Sequence, residues 1–287
     1  MNNEELLETY TSNLASTGSN RNSYIKHAQL FLDYAGIQMD KATINRYIER
    51  MRKKGYSDGT VNFAFRVIRT LFTRNKLDWP FNRGEAPQIR ENKVTAPALH
   101  PDVIIEMIEA VKKNGQPDET ALLALSTTYG LRRIEMVQLT SEDISIRDRV
   151  IHIATAKHGR ERNHMLPKQI IPYIEGYDFD TSRSQFGLFT TWYKLEYKIG
   201  MEHSNQVGWH SIRRTVNTIL LDHFPDTVVS SFLRWKQRTS SSMPYRYSAQ
   251  SYVGKEGVST KVVGEAIEVD QKVFKKHPFL KYWGVKC

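Results

Sequence analysis

Along the first eighty positions apolar residues recur every three or four places, in four runs separated by short polar breaks, which predicts four helices. The first, Glu5 to Leu14, is closed by the turn-forming run Ser16-Thr17-Gly18-Ser19-Asn20. The second, Arg21 to Ala35, carries Tyr24, Ala28, Phe31, Leu32 and Ala35 at helical spacing and stops at Gly36. The third runs from Lys41 to Lys54 and ends at Gly55. The fourth starts after Ser57 or Asp58 as cap, with Val61, Ala64, Phe65, Ile68, Leu71 and Phe72 as its apolar stripe. Residues 1–82 therefore read as a small helical bundle. Residues 83–94 are polar, contain Gly84 and Pro87 and lack any period, so they read as an interdomain linker.

The pattern resumes in 95–287. One helix carries Val103, Met107, Ile108 and Val111 and runs to about Lys113. Another opens at Pro117-Asp118-Glu119, where an early proline and two acids suit a helix start. It continues through Ala121 to Leu125 and is broken at Gly130; Arg132 then heads the next helix, with Glu135 one turn on. That spacing lets Glu135 orient a guanidinium, although an ordinary surface ion pair fits the same two residues. Between Ile144 and Pro167 the period falls to two. Val150 to Thr155, a turn at Lys157-His158-Gly159-Arg160 and a return over Asn163 to Leu166 predict a small antiparallel hairpin or three-stranded sheet with Lys157 near its tip. Residues 168–207 read as helix and loop, with Trp192, Tyr193 and Tyr197 at core or rim. Further helices are expected over Thr227 to Leu233 and Val258 to Phe274. The aromatic end Phe279, Tyr282, Trp283 either folds back on its own domain or reaches a neighbouring subunit. The fold class is mainly α with a small antiparallel β-sheet.

Charge narrows the partners. Against 31 acidic residues stand 41 Lys and Arg, a formal net charge of +10 and a pI near 9.5, which favours a polyanion: nucleic acid first, an anionic membrane surface second. The polar faces of the bundle carry Arg46, Arg50, Arg52, Lys53, Lys54, Arg66, Arg69 and Arg74, either as a solvated face or as a grip on a duplex backbone. No apolar run is long enough to cross a bilayer, the first residues hold no apolar signal core, and the single cysteine is Cys287. A cytoplasmic protein without disulfides, cysteine metal sites or membrane contact is expected.

The candidate chemistry centres on Gly208-Trp209-His210-Ser211-Ile212-Arg213-Arg214. Three apart on a helix, His210 and Arg213 share a face, so a proton-shuttling ring lies beside a fork that grips phosphate oxygens. Val216, Ile219 and Leu220 are expected on the opposite, core-facing side. Alone, this pair reads first as a basic helix end with a satisfied histidine, and only matching chemistry elsewhere in the chain changes that. Farther on, Arg234 to Tyr247 holds four basic residues, a tryptophan and two tyrosines in a Ser-rich setting that predicts a mobile, DNA-facing segment.

In order, Arg132, Lys157, His210-x-x-Arg213, Trp235 and a tyrosine resemble the tyrosine recombinase (phage integrase) family. Tyr129-Gly130-Leu131-Arg132-x-x-Glu135-x-x-x-Leu139 is the closest match, and Ala156-Lys157-His158-Gly159-Arg160-Glu161-Arg162 is similar to the family's hairpin-lysine motif. The resemblance implies a helical core-binding (SAM-like) DNA-binding domain over 1–82 and a catalytic domain with a C-terminal tail over 95–287. It implies that Arg132 and Arg213 clamp the nonbridging phosphate oxygens, that Trp235 adds an indole N–H, that Lys157 protonates the leaving 5′-oxygen and that His210 assists proton transfer, with Glu135 in support. Tyr247, within Met243-Pro244-Tyr245-Arg246-Tyr247, is the expected nucleophile, ahead of Tyr245 and then Tyr252. Its product is a 3′-phosphotyrosine, which needs neither cofactor nor metal.

Three departures stand out: Arg214 where many members have histidine, Arg234 where a glycine usually precedes the His or Trp, and a tyrosine farther beyond Trp235 than usual. DNA contacts are expected from Arg46, Arg50, Lys53, Arg66, Arg69, Arg214, Arg234 and Lys236. The implied partners are double-stranded DNA attachment sites, a homotetramer on DNA that clamps the duplex between its domains, and accessory directionality or bending proteins. The implied place is the nucleoid of a prokaryotic host. Integration or excision of a viral or other mobile element is the leading role. Xer-like dimer resolution, a single-site topoisomerase-like activity and a catalytically silent DNA-binding protein remain as alternatives.

Overall fold

The structure is a computed structural model, and it describes residues 2–15, 18–36, 38–82, 84–87, 97–154, 161–181, 184–204, 206–235, 252–254, 257–259 and 261–284. It divides into two compact units, residues 1–95 and 96–287.

The first unit is built from α1 (Asn3–Ser12), α2 (Gly18–Ala35), α3 (Lys41–Lys53) and α4 (Asp58–Arg74). Local chemistry starts them. Asn2 caps α1 reciprocally with Glu5, Asp40 accepts from the Thr43 amide at 2.7 Å, and Ser57 accepts from the Thr60 amide at 3.3 Å. The stripe foreseen on α4 is buried at Val61, Ala64, Ile68, Leu71 and Phe72, joined by Val67, while Phe65 is only half-buried beside Trp79 and Phe81. Tyr10, Phe31, Ile44, Tyr47 and Met51 complete this core. All eight basic residues singled out on α3 and α4 are exposed, and Arg50 lies over the Tyr34 ring at 5.1 Å.

The second unit packs α5 (Pro101–Asn114), α6 (Pro117–Tyr129), α7 (Arg133–Gln138), α8 (Ile171–Ile174), α9 (Gln185–Lys198), α10 (Trp209–Leu221) and α11 (Asp226–Phe232). A three-stranded antiparallel sheet of β1 (Ile144–Ser145), β2 (Val150–Ile153) and β3 (Arg162–Met165) lies in the order β1-β2-β3. Beyond α11 come β4 (Tyr252–Gly254), β5 (Gly257–Ser259), α12 (Lys261–Lys275) and α13 (Leu280–Trp283). The expected start of a helix at Val258 is therefore corrected: Val258 pairs with Val253 in a β-ladder, as a β-branched residue readily does. Helix α6 is the centre of the unit, since every residue from Ala121 to Tyr129 is buried; a helix buried on all sides needs neighbours on all sides. Helices α5, α8, α9 and α10 supply them.

The C-terminal segment folds back on its own unit. Val273, Phe279, Leu280 and Trp283 belong to the same buried core as α6. Trp283 donates its indole N–H to Thr127 Oγ1 at 2.9 Å, and the same hydroxyl donates to the Leu123 carbonyl at 2.7 Å. His277 Nε2 donates to the Thr128 carbonyl at 2.9 Å, and its Nδ1 accepts from the Phe279 amide at 3.3 Å. Lys112 Nζ donates to the Tyr282 carbonyl at 2.7 Å. Among the described residues, no helix is long and apolar enough to cross a membrane.

Trp283→Ala removes a fully buried indole and strands the Thr127 acceptor. We expect it to destabilise the second unit by about 3–5 kcal/mol, read as a lower urea midpoint; an unchanged midpoint would show that the segment contributes nothing to this core.

Candidate active site

Gly130 sets the geometry. It ends α6 in the left-handed conformation, φ +56°, where a side chain is disfavoured. A β-carbon there would also sit 3.0 Å from a Leu233 methyl and 3.4 Å from Arg213 Cγ. The chain can thus turn tightly while the start of α10 and the end of α11 close on it. Arg132 follows as the N-terminal flank of α7; its amide donates to Glu135 Oε2 at 2.8 Å and its Nη1 to Glu135 Oε1 at 2.6 Å. The Arg132 side chain keeps 19% exposure while that of Glu135 has none. Of the two readings that the spacing leaves open, this is the oriented guanidinium and not a solvated surface pair.

Helix α10 brings in the second arginine. Trp209, its first residue, donates its indole N–H to the Leu188 carbonyl at 2.8 Å and packs edge-on against Trp192, which fixes the start of α10 on α9. His210 is exposed, whereas Arg213 is only 1% exposed. Here the expectation is corrected: Arg213 lies on the core-facing side with Val216 and Leu220, because positions three and seven apart fall on one helical stripe. Its Nη1 donates to the Gly130 carbonyl at 2.5 Å, its Nη2 donates to the Leu233 carbonyl, and its guanidinium lies 5.5 Å from the ring of half-buried Trp235. Among the described residues Arg213 Nε–H has no acceptor. Burial, then the neighbouring Arg234 and Arg132, push the Arg213 pKa well below its ordinary value, with Glu135 opposing.

Arg234 corrects a second expectation. The sequence leads one to expect a DNA contact here, yet the Arg234 side chain has no exposure. Helix α11 ends in a Schellman motif: the Arg234 amide donates to the Ser231 carbonyl at 3.2 Å and the Trp235 amide to Ser230 at 2.9 Å, with Arg234 at φ +59° in the place that favours glycine. That backbone turns the guanidinium inward. Its Nη2 donates to Glu135 Oε2 at 2.9 Å, its Nη1 to His164 Nε2 at 3.1 Å, and both reach toward the Tyr129 carbonyl at 3.3 Å. Burial raises the Glu135 pKa, but Arg234, the Arg132 amide, Arg213 and Arg132 outweigh it, so the net shift is downward and Glu135 is a carboxylate.

The network continues. His164 Nδ1 lies 3.2 Å from both carboxylate oxygens of Asp270, a buried residue of α12. Asp270 also accepts from Arg162 Nη2 and from the Met165 amide, both at 2.8 Å. Burial pulls the His164 pKa down to about 4, so the ring is neutral, with its proton on Nδ1 facing Asp270 and Nε2 free to accept from Arg234.

The structure therefore brings Arg132, Glu135, Arg213 and Trp235 together around the Gly130 turn, with His210 exposed on the first turn of α10. Arg214 is half-buried. Lys157, Lys236, Tyr245 and Tyr247 lie outside the described residues, and Tyr252 falls in β4. Tyr193 and Tyr197, expected at core or rim, are exposed, while Trp192 is buried. Sequence reasoning missed the inward turn of Arg234 and the roles of Arg162, His164 and Asp270. A signal was present for two of them. His164 pairs across the ladder with buried Ile151, and Asp270 stands three and four residues before Val273 and Phe274 on an apolar stripe.

Comparison with known proteins gives concordant matches. The phage integrase family profile matches residues 97–251, more than half of the chain. A tyrosine recombinase XerA of Pyrococcus furiosus is 26% identical over 176 residues, an alignment covering 60% of each protein and so less than two thirds of that relative. XerA of Pyrococcus horikoshii is 23% identical over 285 residues, 93% of each. A lambda integrase tetramer bound to a Holliday junction superposes with a TM-score of 0.66 at 13% identity, over 86% of this chain and 77% of that one, which shows a shared fold.

Two outcomes follow from this geometry. Arg234→Gly relieves a left-handed arginine, a gain of about 1 kcal/mol, but strands one side of a buried carboxylate at a cost of about 3–5 kcal/mol. Urea unfolding should therefore show a loss of roughly 2–4 kcal/mol; a gain would sink the inward-pairing account. Second, burial holds both His164 and His277 near 4 in the folded protein, from an ordinary value of 6.5. The unfolded chain then binds more protons between pH 6.5 and 4, so stability present above 6.5 is lost as pH falls through that window. The expected slope is up to roughly 1.4 kcal/mol per pH unit for each histidine, and His277→Gln should flatten it by about one proton.

Proposed function

Because the chain belongs to the phage integrase family, and is a tyrosine recombinase by that membership, we propose that it breaks and rejoins double-stranded DNA at specific attachment sites to integrate or excise a mobile element. The observation that carries the proposal is the convergence of Arg132, Arg213 and Trp235 on one glycine turn with too little negative charge to match. Among the described residues, Arg132 and Arg234 both bond the carboxylate of Glu135, while Arg213 bonds backbone carbonyls and has its pKa pushed well below the ordinary value by burial, then by Arg234 and Arg132. A phosphodiester supplies the missing anion, and the buried Nε–H of Arg213 is a donor for its oxygen.

In the proposed reaction the tyrosine hydroxyl, Tyr247 in our assignment, attacks the scissile phosphorus. The bond to the 5′-oxygen breaks as the 3′-phosphotyrosine bond forms, and Lys157 gives the departing oxygen its proton. His210, exposed at the head of α10, moves protons between tyrosine and phosphate. Arg132 and Arg213 hold the nonbridging oxygens as charge builds on them, and Trp235 adds an indole N–H. Attack by another strand's 5′-hydroxyl reverses these steps, so no nucleotide is consumed. The exposed Arg46, Arg50, Lys53, Arg66 and Arg69 grip the duplex backbone. Resemblance to a lambda integrase tetramer on a Holliday junction supports a homotetramer working on two sites.

A second reading, resolution of chromosome or plasmid dimers, is favoured by the relatives named XerA. The two differ in substrate geometry, not in chemistry. Departures at Arg214 and Arg234 and the long interval to Tyr247 support the mobile-element role.

The test is incubation with a nicked suicide duplex carrying a candidate attachment site, then a denaturing gel and peptide mapping. A covalent adduct on Tyr247 that disappears in Tyr247→Phe is the expected result. An adduct on Tyr245 keeps the class and moves the nucleophile. Binding without any adduct would replace the proposal with a catalytically silent DNA-binding protein.

A further inference from the structure

The most unusual feature outside the reacting groups is a continuous run of buried charged and polar side chains leading from Arg132 to the C-terminal helix. It passes from Arg132 to Glu135 at 2.6 Å, Glu135 to Arg234 at 2.9 Å, Arg234 to His164 at 3.1 Å and His164 to Asp270 at 3.2 Å. We infer that Arg234, His164 and Asp270 are positioning residues, which hold Glu135 and through it Arg132, so that the clamp on the phosphate depends on how helix α12 is seated. The inference rests on the recombinase reading of Arg132 and adds to it three residues that touch neither DNA nor the reacting atoms.

The geometry makes the links interdependent. Glu135 Oε2 receives both the Arg132 amide and Arg234 Nη2, while Oε1 receives Arg132 Nη1. If Arg234 leaves, the carboxylate turns and the Arg132 fork turns with it. Arg234 cannot serve DNA, because its side chain is wholly buried, yet it occupies a left-handed backbone position that disfavours arginine. Its reach to Glu135 and His164 is what that backbone achieves.

His164 accepts from Arg234 only in the tautomer with hydrogen on Nδ1, and Asp270 is the acceptor that selects this tautomer. Without Asp270 the ring is free to carry its hydrogen on Nε2, where it meets the Arg234 donors head-on. Asp270 is itself fixed by Arg162 and the Met165 amide, and Arg162 Nη1 also donates to Ser231 Oγ on α11, two residues before Leu233, whose carbonyl holds Arg213. Both catalytic arginines are thus referred to the same carboxylate on α12.

The competing account is that these are independent core bonds that stabilise the fold and nothing else. Single-turnover cleavage separates the two. On the nicked suicide duplex at saturating protein, well below each variant's unfolding temperature, Asp270→Asn should form the covalent adduct about ten-fold more slowly, with duplex affinity within about two-fold of wild type. Glu135→Gln should be slow as well. Adding Asp270→Asn to it should cost no more than a further two-fold or so, since both act through one chain of contacts. Should Asp270→Asn not fold, His164→Leu carries the same expectation, because it removes the acceptor for Arg234 and the donor to Asp270 while leaving Asp270 bonded to Arg162 and the Met165 amide. A wild-type cleavage rate in folded Asp270→Asn, rates that multiply in the double variant, or a loss confined to affinity would overturn the inference. If the wild-type protein forms no adduct, the recombinase reading fails and the positioning role falls with it. An active wild type with indifferent variants rejects the relay alone.

Discussion

One carboxylate organises this protein. Glu135 is buried, ionised and shared between an arginine that faces solvent and one that does not. An isolated ionised carboxylate in such a place is strongly disfavoured, so its arginine partners are obligatory. The two buried arginines are no better off without it, for burial disfavours the charge of both Arg213 and Arg234, and Arg132 disfavours it further. What results is a cluster that is stable only as a set and that still carries surplus positive charge. In the proposed reaction that surplus is held in advance for the phosphate, so that no reorganisation is needed as charge develops.

The backbone makes the cluster possible through two left-handed residues with opposite logic. Gly130 has no side chain because Arg213 and Leu233 fill the space where one would be. Arg234 has a large side chain in a conformation that suits glycine, and the inward direction it gains lets it reach Glu135 across the core. Both positions lie at helix ends, where unsatisfied carbonyls are available, and both guanidinium groups use them: Gly130 and Leu233 for Arg213, Tyr129 for Arg234.

Much of this was legible in the sequence. Helices whose apolar residues keep one period, such as α4, emerge with the expected stripe inside apart from half-buried Phe65, because burial of one face decides both the pattern and the fold. The Gly130-x-Arg132-x-x-Glu135 spacing places the two side chains within reach of each other by local geometry alone, but it fits an oriented arginine and a surface ion pair equally, and burial of Glu135 decides between them. Arg213 and Arg234 were placed on the wrong side for a common reason. A charged residue is read as outward unless its partner is known, and their partners lie 83 and 99 positions away in the chain. His164 and Asp270 were overlooked in the same way. Their inward parity was visible, but a polar residue at a core position is informative only when the group that satisfies it can be found.

The seating of the C-terminal segment bears on how the molecule comes to exist. His277 meets Thr128 across 149 positions and Trp283 meets Thr127 across 156, and both contacts lie against the helix at the centre of the unit. Contacts so distant in sequence close slowly, because the loop entropy is lost before the contact forms. During synthesis, helix α6 must therefore wait with one side uncovered until residue 283 has left the ribosome. A nascent chain can be long, basic and already equipped with Arg132, and yet have no finished core to hold that side chain in place.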